Sequence, residues 1–131
     1  MQRLTISIDD DLAADFEALI AARRYDNRSE AFRDLVRREL RQERVRADPG
    51  VPCVATLSYV YDHHDRRAVA RLMDLQHAHH DLTQAATHVH LDHDQCLETL
   101  ILRGPADQVS ALAQAILADK GVRDGALHLM A

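Results

Sequence analysis

The first residues of the chain alternate between polar and apolar side chains. Every second position from Leu4 to Ile8 is aliphatic. Side chains of a strand point to alternate faces, so this pattern predicts a strand over 2–8 with one apolar face. Apolar residues then recur at helical spacing, which predicts a helix that ends near Arg24 and a second helix that reaches about Arg46.

The pattern changes after the turn-forming run Asp48–Pro52, where we place a domain boundary. The remainder predicts the order β-α-β-β-α-β, which is typical of ferredoxin-like domains with helices on one face of an antiparallel sheet. We therefore expect an α+β chain, with a β-α-α domain over 1–48 and a ferredoxin-like domain over 53–131. Its strands are expected at 53–61, 85–91, 96–102 and 122–130, and its helices at about 65–80 and 105–119.

Composition narrows the class of protein. The chain has 131 residues, of which 47% are hydrophobic, and no apolar run reaches the roughly 18 residues needed to span a membrane. Its start lacks the apolar core of a signal peptide, so we expect a cytoplasmic protein. The net charge of −5 and all nine histidines belong to the part after Arg46. In a reducing compartment, a cysteine near histidines is better suited to bind a metal than to form a disulfide.

The N-terminal strand has no neighbouring strand in its own domain. An isolated strand is unstable, so two copies are expected to pair their strands in an antiparallel ribbon. The polar face of such a ribbon fits the DNA major groove, although a ribbon that only dimerises would expose the same face to solvent. The start of the second helix could hold a DNA phosphate. The candidate DNA-binding residues are Arg3, Thr5 and Ser7 on the strand and Asn27, Arg28 and Ser29 at the helix start.

Candidate metal ligands cluster in the second domain. His88 and His90 point to the same face of a predicted strand, and Cys96 follows after a short polar turn. Imidazole and thiolate suit zinc, copper, nickel or cobalt, whereas calcium and magnesium prefer oxygen ligands. The spacing therefore predicts three ligands of a transition-metal site.

A second group of histidines ends the preceding predicted helix. With about 100° per residue, His80 continues the apolar stripe of that helix and is expected to pack or to cap the helix end rather than to bind metal. His77 and His79 lie on either side of the stripe, and both remain candidates for a fourth ligand. Three further histidines are expected to be solvated, namely His63, His64 and His93.

Several stretches resemble known families. The start Met1–Leu12, together with Asn27–Val36, resembles the ribbon-helix-helix repressors. The segments Leu57–Tyr61, Gln76–Leu82 and Thr87–Glu98 resemble the nickel-responsive transcriptional regulators, the NikR family, so the resemblance covers essentially the full chain. It implies a Ni(II)-dependent repressor, not an enzyme, that forms a homotetramer as a dimer of dimers. It also implies a palindromic double-stranded DNA operator that controls nickel uptake.

The resemblance assigns roles to individual positions. In the family, a square-planar nickel ion is bound by a His-x-His pair, the following cysteine and a histidine of a neighbouring subunit. The matching positions are His88, His90, Cys96 and His77. A potassium (K+) site of the family, between the domains, matches Glu30 and Asp34. The residues expected to support the nickel ligands are Tyr61 and Glu98.

Three positions depart from the family pattern. Ala78 stands where some relatives have another histidine, so auxiliary metal binding there is expected to be weaker. Asp65 stands where relatives can have a basic residue that contacts DNA, so contact from this loop is not expected. Ser7 replaces a common threonine and lacks the methyl group that could touch thymine, so operator preference is expected to differ.

Other classes of protein share parts of this pattern. A regulator that responds to copper, cobalt or zinc would have the same ligands. A ribbon-helix-helix antitoxin would share the N-terminal domain but should end in a disordered, partner-binding tail, and another small-molecule sensor would not need the His and Cys ligands. A zinc hydrolase would need an acid/base pair, for which Glu98 is the only nearby candidate.

Overall fold

The computed structural model describes residues 1–131 and contains four helices and four strands. The helices are α1 (Asp10–Arg23), α2 (Arg28–Ala47), α3 (Arg66–Ala78) and α4 (Ala106–Leu117). The strands are β1 (Pro52–Asp62), β2 (Thr83–His90), β3 (Gln95–Pro105) and β4 (Val122–Met130). The chain divides into two compact units, Met1–Leu40 and Arg41–Ala131.

The two helices of the first unit are capped but have little core of their own. Asp9 accepts a hydrogen bond from the backbone N–H of Leu12 (2.8 Å), and Asn27 accepts one from that of Glu30 (2.8 Å). These side chains satisfy amides that the first turn of a helix leaves without partners. Ala31 is the one fully buried residue of the two helices, and several large apolar side chains are exposed. Apolar surface of this kind is typical of a unit that packs against a partner.

The predicted N-terminal strand is absent from the single chain. Residues 1–9 form neither helix nor strand, and Leu4, Ile6 and Ile8 are 73%, 56% and 45% exposed. A strand requires backbone hydrogen bonds from a neighbour, and the sheet of this chain consists of β1–β4 only. The strand over 2–8 therefore remains a prediction for two paired copies.

The second unit is a four-stranded sheet in the order β2-β3-β1-β4, and all neighbouring strands are antiparallel. Alternate side chains of β1 are buried, so one face of the sheet is covered. Leu57 and Leu100 on this face belong to the same core as Leu112 and Ile116 of α4. The predicted α+β class and the β-α-β-β-α-β order are confirmed.

The segment between α2 and β1 is attached to this second unit. Val45 and Val51 pack against its core. The backbone N–H of Ala106 donates to the carbonyl of Val51 (2.9 Å), and that of Asp107 donates to the carbonyl of Pro49 (2.7 Å). These contacts explain why the last turns of α2 belong to the same compact unit as the sheet.

The end of α3 differs from the prediction. The helix was expected to reach about His80, but it ends at Ala78, and the N–H of His79 donates to the carbonyl of Gln76 (3.2 Å). His80 therefore lies outside the helix and is exposed, so it is not packed, but its ring nitrogen faces the carbonyl of His77 at the helix end, which agrees with the capping alternative. The prediction failed because it extended an ideal helix beyond its last turn.

Candidate metal centre

The β2–β3 hairpin brings His90 and Cys96 together. The two residues are direct partners in the antiparallel register, and residues opposite each other in such a pair project to the same face. Cys96 Sγ lies 3.4 Å from His90 Nδ1. His88 is two positions earlier on the same face, and its ring centroid is 5.3 Å from that of His90. The three predicted ligands of one chain therefore lie at one end of the hairpin.

Cys96 is buried, whereas both histidines are exposed. Burial raises the pKa of the Cys96 thiol, and the carboxylates of Asp62, Asp92 and Glu98 raise it further. Both effects disfavour the thiolate in the protein alone. A cation bound at the sulfur would reverse this balance, because it stabilises the deprotonated form.

Tyr61 and Glu98 contact the His88 imidazole. The Tyr61 hydroxyl oxygen lies 3.2 Å from His88 Nδ1, and Glu98 Oε2 lies 3.5 Å from both atoms. Burial and the neighbouring Glu98 carboxylate raise the pKa of Tyr61 to about 12, so the phenol keeps its proton at neutral pH. Because Nδ1 of His88 faces these groups, Nε2 is the nitrogen left to bind a metal.

Two polar residues that the sequence did not single out extend these contacts to α3. Gln76 donates from Nε2 to Glu98 Oε1 (2.7 Å) and to the Tyr59 hydroxyl (2.9 Å), and Tyr59 donates to Glu98 Oε1 (2.9 Å). Tyr59 is completely buried. A glutamine on the apolar stripe of the predicted helix was the signal that could have revealed this network, since an amide on a packed face needs polar partners.

His77 does not join the three donors within one chain. It is exposed in the last turn of α3 and, like His88, lies outside the donor atoms that cluster within 4.8 Å of one another around Cys96. His79 Nδ1 lies 2.9 Å from the carbonyl oxygen of Leu75, and His80 Nδ1 lies 3.3 Å from that of His77. None of the three histidines therefore supplies a fourth ligand within the subunit.

The structure instead places His63 beside the cluster. Donor atoms of His63, His90 and Cys96 all lie within 4.8 Å of one another, and the rings of His63 and His90 are 5.0 Å apart. His63 is only partly exposed, so the expectation that it is simply solvated is wrong. The cause is a long-range pairing, because the partnership of Asp62 with Gln95 in β1 and β3 brings the residue after β1 to the hairpin turn.

The candidate DNA-binding residues are all exposed. Arg3, Thr5 and Ser7 lie in the N-terminal segment that forms neither helix nor strand, and Ser29 lies in the first turn of α2. Asn27 uses its side chain to cap α2, and Arg28 forms an ion pair with Glu17 of α1. The positions are accessible, but two of these six side chains already have partners within the chain.

The carboxylates of the expected potassium site also have partners. Asp34 accepts a hydrogen bond from the Tyr25 hydroxyl and lies 3.7 Å from Arg38 Nη2. Glu30 accepts from the backbone N–H of Asp26 (3.2 Å). Glu30 and Asp34 line a surface cavity of about 420 Å³.

Comparison with known families identifies the domain type of the second unit. Residues 54–130 match the model of the NikR C terminal nickel binding domain. The chain belongs to the nickel-responsive regulator family. Residues 2–43 match the model of ribbon-helix-helix proteins of the CopG family, which agrees with the β-α-α pattern of the start. The chain therefore combines the two domain types of a NikR protein.

Relatives match this chain over most of its length. A nickel-responsive regulator of Edwardsiella ictaluri is 48% identical over 127 residues, which cover 97% of this chain and 88% of the relative. A protein of Bradyrhizobium diazoefficiens, given the same name provisionally, is 51% identical over 125 residues, or 95% of this chain and 84% of the relative. An uncharacterized protein of Thermotoga maritima is similar in structure, with a TM-score of 0.52 and 16% identity over 61% of this chain and 96% of that one. This last likeness concerns the fold alone.

Membership of the NikR family excludes classes of protein that the sequence alone had left open. The chain is a regulator and not an enzyme, as expected. Its second half matches a nickel-binding domain rather than an antitoxin tail. None of its helices combines the length and apolar character needed to cross a membrane.

The donor set of this NikR protein fits nickel. Two imidazoles and one thiolate are ligands of the type that borderline first-row metals prefer, and square-planar geometry is compatible with Ni(II). The short separation between His90 Nδ1 and Cys96 Sγ allows both atoms to reach one ion. His88, His90 and Cys96 are the residues that would hold it.

Proposed function

We propose that this chain is a nickel-dependent transcriptional repressor that binds a palindromic DNA operator and controls nickel uptake. The proposal rests mainly on the pairing of His90 with Cys96 across the hairpin, with Sγ 3.4 Å from Nδ1. Its second support is the match of residues 2–43 to ribbon-helix-helix proteins, a class whose paired strands fit the major groove.

The proposed nickel site is shared between two subunits. One subunit supplies His88, His90 and Cys96, and a neighbouring subunit supplies His77. His77 is suited to this role because it is exposed at the end of a helix and belongs to no group of three or more metal donors within its own chain. Ligands from two copies make the ion part of an interface, and we propose a homotetramer built as a dimer of dimers.

Tyr61 and Glu98 would hold the His88 ring in the orientation that presents Nε2 to the ion. The support for this role is the contact of both side chains with Nδ1 of the same ring. Partners of this kind fix the orientation of a metal-binding imidazole and raise its basicity. Gln76 would extend the same effect to the helix that carries His77.

Nickel would act by favouring the arrangement of subunits that binds DNA. In that arrangement Arg3, Thr5 and Ser7 would contact base edges, and Asn27, Arg28 and Ser29 would contact phosphates. A ligand shifts such an equilibrium only if it binds one arrangement more tightly than the other. We propose that the DNA-binding domain covers 1–48, the nickel-binding domain covers 53–131, and the protein acts in the cytoplasm.

A potassium ion at Glu30 and Asp34 is a further part of the proposal. Both carboxylates line the surface cavity in the first unit. The ion would have to compete with Tyr25 and Arg38 for Asp34. If the site exists, KCl should raise the unfolding temperature of the wild type more than choline chloride does, and Asp34→Asn should remove the difference. Equal unfolding temperatures of the wild type in the two salts would contradict it.

Operator binding with different metals tests the proposed function. Cu(II) is expected to bind most tightly to almost any nitrogen and sulfur site, so selectivity must be read from DNA binding rather than from metal affinity. We expect Ni(II) to promote specific operator binding by the wild type and by Cys53→Ala, which removes a buried thiol at the opposite end of the β1–β3 pair from Cys96. Cys96→Ala should lose both tight nickel binding and the response. Specific binding promoted only by zinc would overturn the proposal.

A further inference from the structure

The core of the second unit lies on one face of the sheet and leaves the other face open to solvent. Alternate residues of β1 from Val54 to Val60 point to this other face, because the residues between them are buried in the core. Their register partners on β3 and β4 point the same way, and we call this surface the open face. Val54, Ile101 and Met130 on it are 40%, 42% and 41% exposed.

Two opposite charges lie at opposite ends of the open face. Arg103 of β3 is the register partner of Val54, and Asp124 of β4 is the partner of Val60; both are exposed. The two rows are six residues apart along β1, or about 20 Å. If two copies face each other across a twofold axis midway between these positions, Arg103 of each copy lies over Asp124 of the other. The charges therefore make the open face complementary to itself.

The same axis passes close to His128. Because β1 lies between β3 and β4, the midpoint between Arg103 and Asp124 falls on β1, between Thr56 and Ser58. The axis crosses the line that joins the two charges at a right angle. With strands about 4.8 Å apart, this direction leads past His128, the partner of Thr56 on β4. A residue beside a twofold axis meets its own copy, so two His128 rings would come together.

The groups that face His128 carry no charge. Its neighbours on the open face are Ala126 and Met130 of its own strand and Thr56 of β1, with Ile101 of β3 beyond. The hydroxyl oxygens of Ser58 and Thr99 lie 2.9 Å apart and satisfy each other. The charged residues on this side of the sheet lie toward its two ends, namely Arg103 at one and Asp62, Arg123 and Asp124 at the other. The open face thus offers no carboxylate to a protonated His128.

We propose that two copies pack their open faces together about this axis, with Arg103 opposite Asp124, and that protonation of the paired His128 rings weakens the contact. The inference rests on the homotetramer of the proposed function. It adds a contact that neither the paired N-terminal strands nor the shared nickel site provides. Histidine is the side chain that ordinarily changes charge between pH 5 and 8. Two charged rings that meet between apolar surfaces repel each other and lose hydration, so separated copies bind more protons and acid favours them.

Sedimentation of the metal-free, full-length protein tests the role of His128. We expect the dissociation constant of the tetramer into dimers to rise at least about tenfold from pH 7.5 to pH 5.5, because both rings of each contact lose protons on packing. His128→Gln cannot become charged and should keep the tetramer without this pH dependence. His80→Gln, which removes another exposed histidine, is the matched control and should retain it. An unchanged pH dependence in His128→Gln would overturn the role of His128.

Charge reversal tests the arrangement of the two faces. Arg103→Asp places two carboxylates together, and Asp124→Arg places two cations together, so each should weaken the tetramer. The combined variant should restore it, because the pairs form again with exchanged signs. Within one chain the positions are separated by more than the screening length of about 8 Å at physiological salt, so restoration reports contact between copies. Circular dichroism checks that each variant is folded.

The possible failures are distinct. If the wild type is a tetramer that the single reversals do not weaken, the open faces do not meet and this inference is wrong, while nickel and operator binding still support the proposed function. If the protein never exceeds a dimer, even with Ni(II), both the homotetramer and this inference are overturned. Cys96→Ala should lose tight nickel binding but keep the pH dependence of assembly, since the nickel ligands lie on the other face of the sheet.

Discussion

At the scale of single residues, the centre combines a buried sulfur with exposed imidazoles. Cys96 is fully enclosed, whereas His88 and His90 are exposed on the edge strand β2. The sulfur is thus protected from solvent, while an exposed side remains for a ligand from another copy. This asymmetry supports a centre that is completed from outside the subunit.

Replacement of Tyr61 by Phe tests the support of the His88 ring. Phe keeps the packing of the ring near Tyr59, with centroids 5.8 Å apart, but removes the hydroxyl near Nδ1. We expect nickel affinity to fall by about 10–100-fold, as is usual when a partner of a metal-binding imidazole is removed. Competition with a chelator of known affinity measures the change. Tyr25→Phe, in the first unit, is the control, and equal affinities of the two variants would refute the role of Tyr61.

Replacement of Arg3 by Ala tests the DNA-binding face of the N-terminal segment. Arginine is suited to bind guanine in the major groove, and each such pairing contributes about 1–3 kcal/mol of discrimination. In the presence of nickel, we expect the free energy of operator binding to become less favourable by that amount for each subunit whose Arg3 contacts a base. Nickel affinity should be unchanged. Arg23→Ala, which removes an arginine from the last turn of α1, is the control. Retention of wild-type operator affinity by Arg3→Ala would show that the strand is only a dimerisation element.

At the scale of elements, local sequence patterns predicted most of the fold, because apolar side chains recur with a different spacing in helices and in strands. The alternation along β1 and the helical spacing of α4 were readable from the chain. The surroundings of His63 were not, because they depend on the pairing of Asp62 with Gln95, which are distant in sequence. The network of Gln76 and Tyr59 was missed for the same reason, since a side chain's distant polar partners are set by packing.

An ion pair between elements should control acid stability. Arg71 of α3 donates from Nε and Nη2 to the two carboxylate oxygens of Asp119, at 2.8 and 2.9 Å, just after α4. Asp119 also accepts from the N–H of Gly121 (2.8 Å). The hydrogen bonds from Arg71, together with that from Gly121, lower the pKa of Asp119 to about 2. The pair therefore connects the two helices of the second unit through a carboxylate that remains ionised in mild acid.

Asp119→Asn should reduce the free energy of unfolding at pH 7 by about 1–3 kcal/mol, the usual contribution of hydrogen bonds to a charged group. Because the folded pKa is below the unfolded value of about 3.9, this contribution is complete above that value and is lost as the pH falls toward 2. Urea unfolding at several pH values measures the difference from the wild type. Asp74→Asn, on the exposed side of α3, is the control. If the difference in unfolding free energy between Asp119→Asn and the wild type stayed constant down to pH 2, ionisation of Asp119 would not be its cause.

At the scale of the whole molecule, both units present features that a single chain leaves incomplete. The first unit exposes the apolar side chains of its N-terminal segment, including Leu4 and Ile6. The second unit gathers three metal donors at one end of a hairpin and exposes His77 elsewhere. Pairing of copies would satisfy both features, and it would give nickel a means of acting on the DNA-binding arrangement.

Sharing of the nickel site between subunits is the central claim, and a mixing experiment tests it most directly. His77→Ala and Cys96→Ala each remove one ligand, so neither protein alone should bind nickel tightly. When the two variants are co-expressed, a mixed interface combines His77 of one chain with Cys96 of the other. We expect mixed assemblies to regain tight nickel binding in competition with a chelator. If the mixture binds no more tightly than the separate variants, the site does not span two subunits and the account is contradicted.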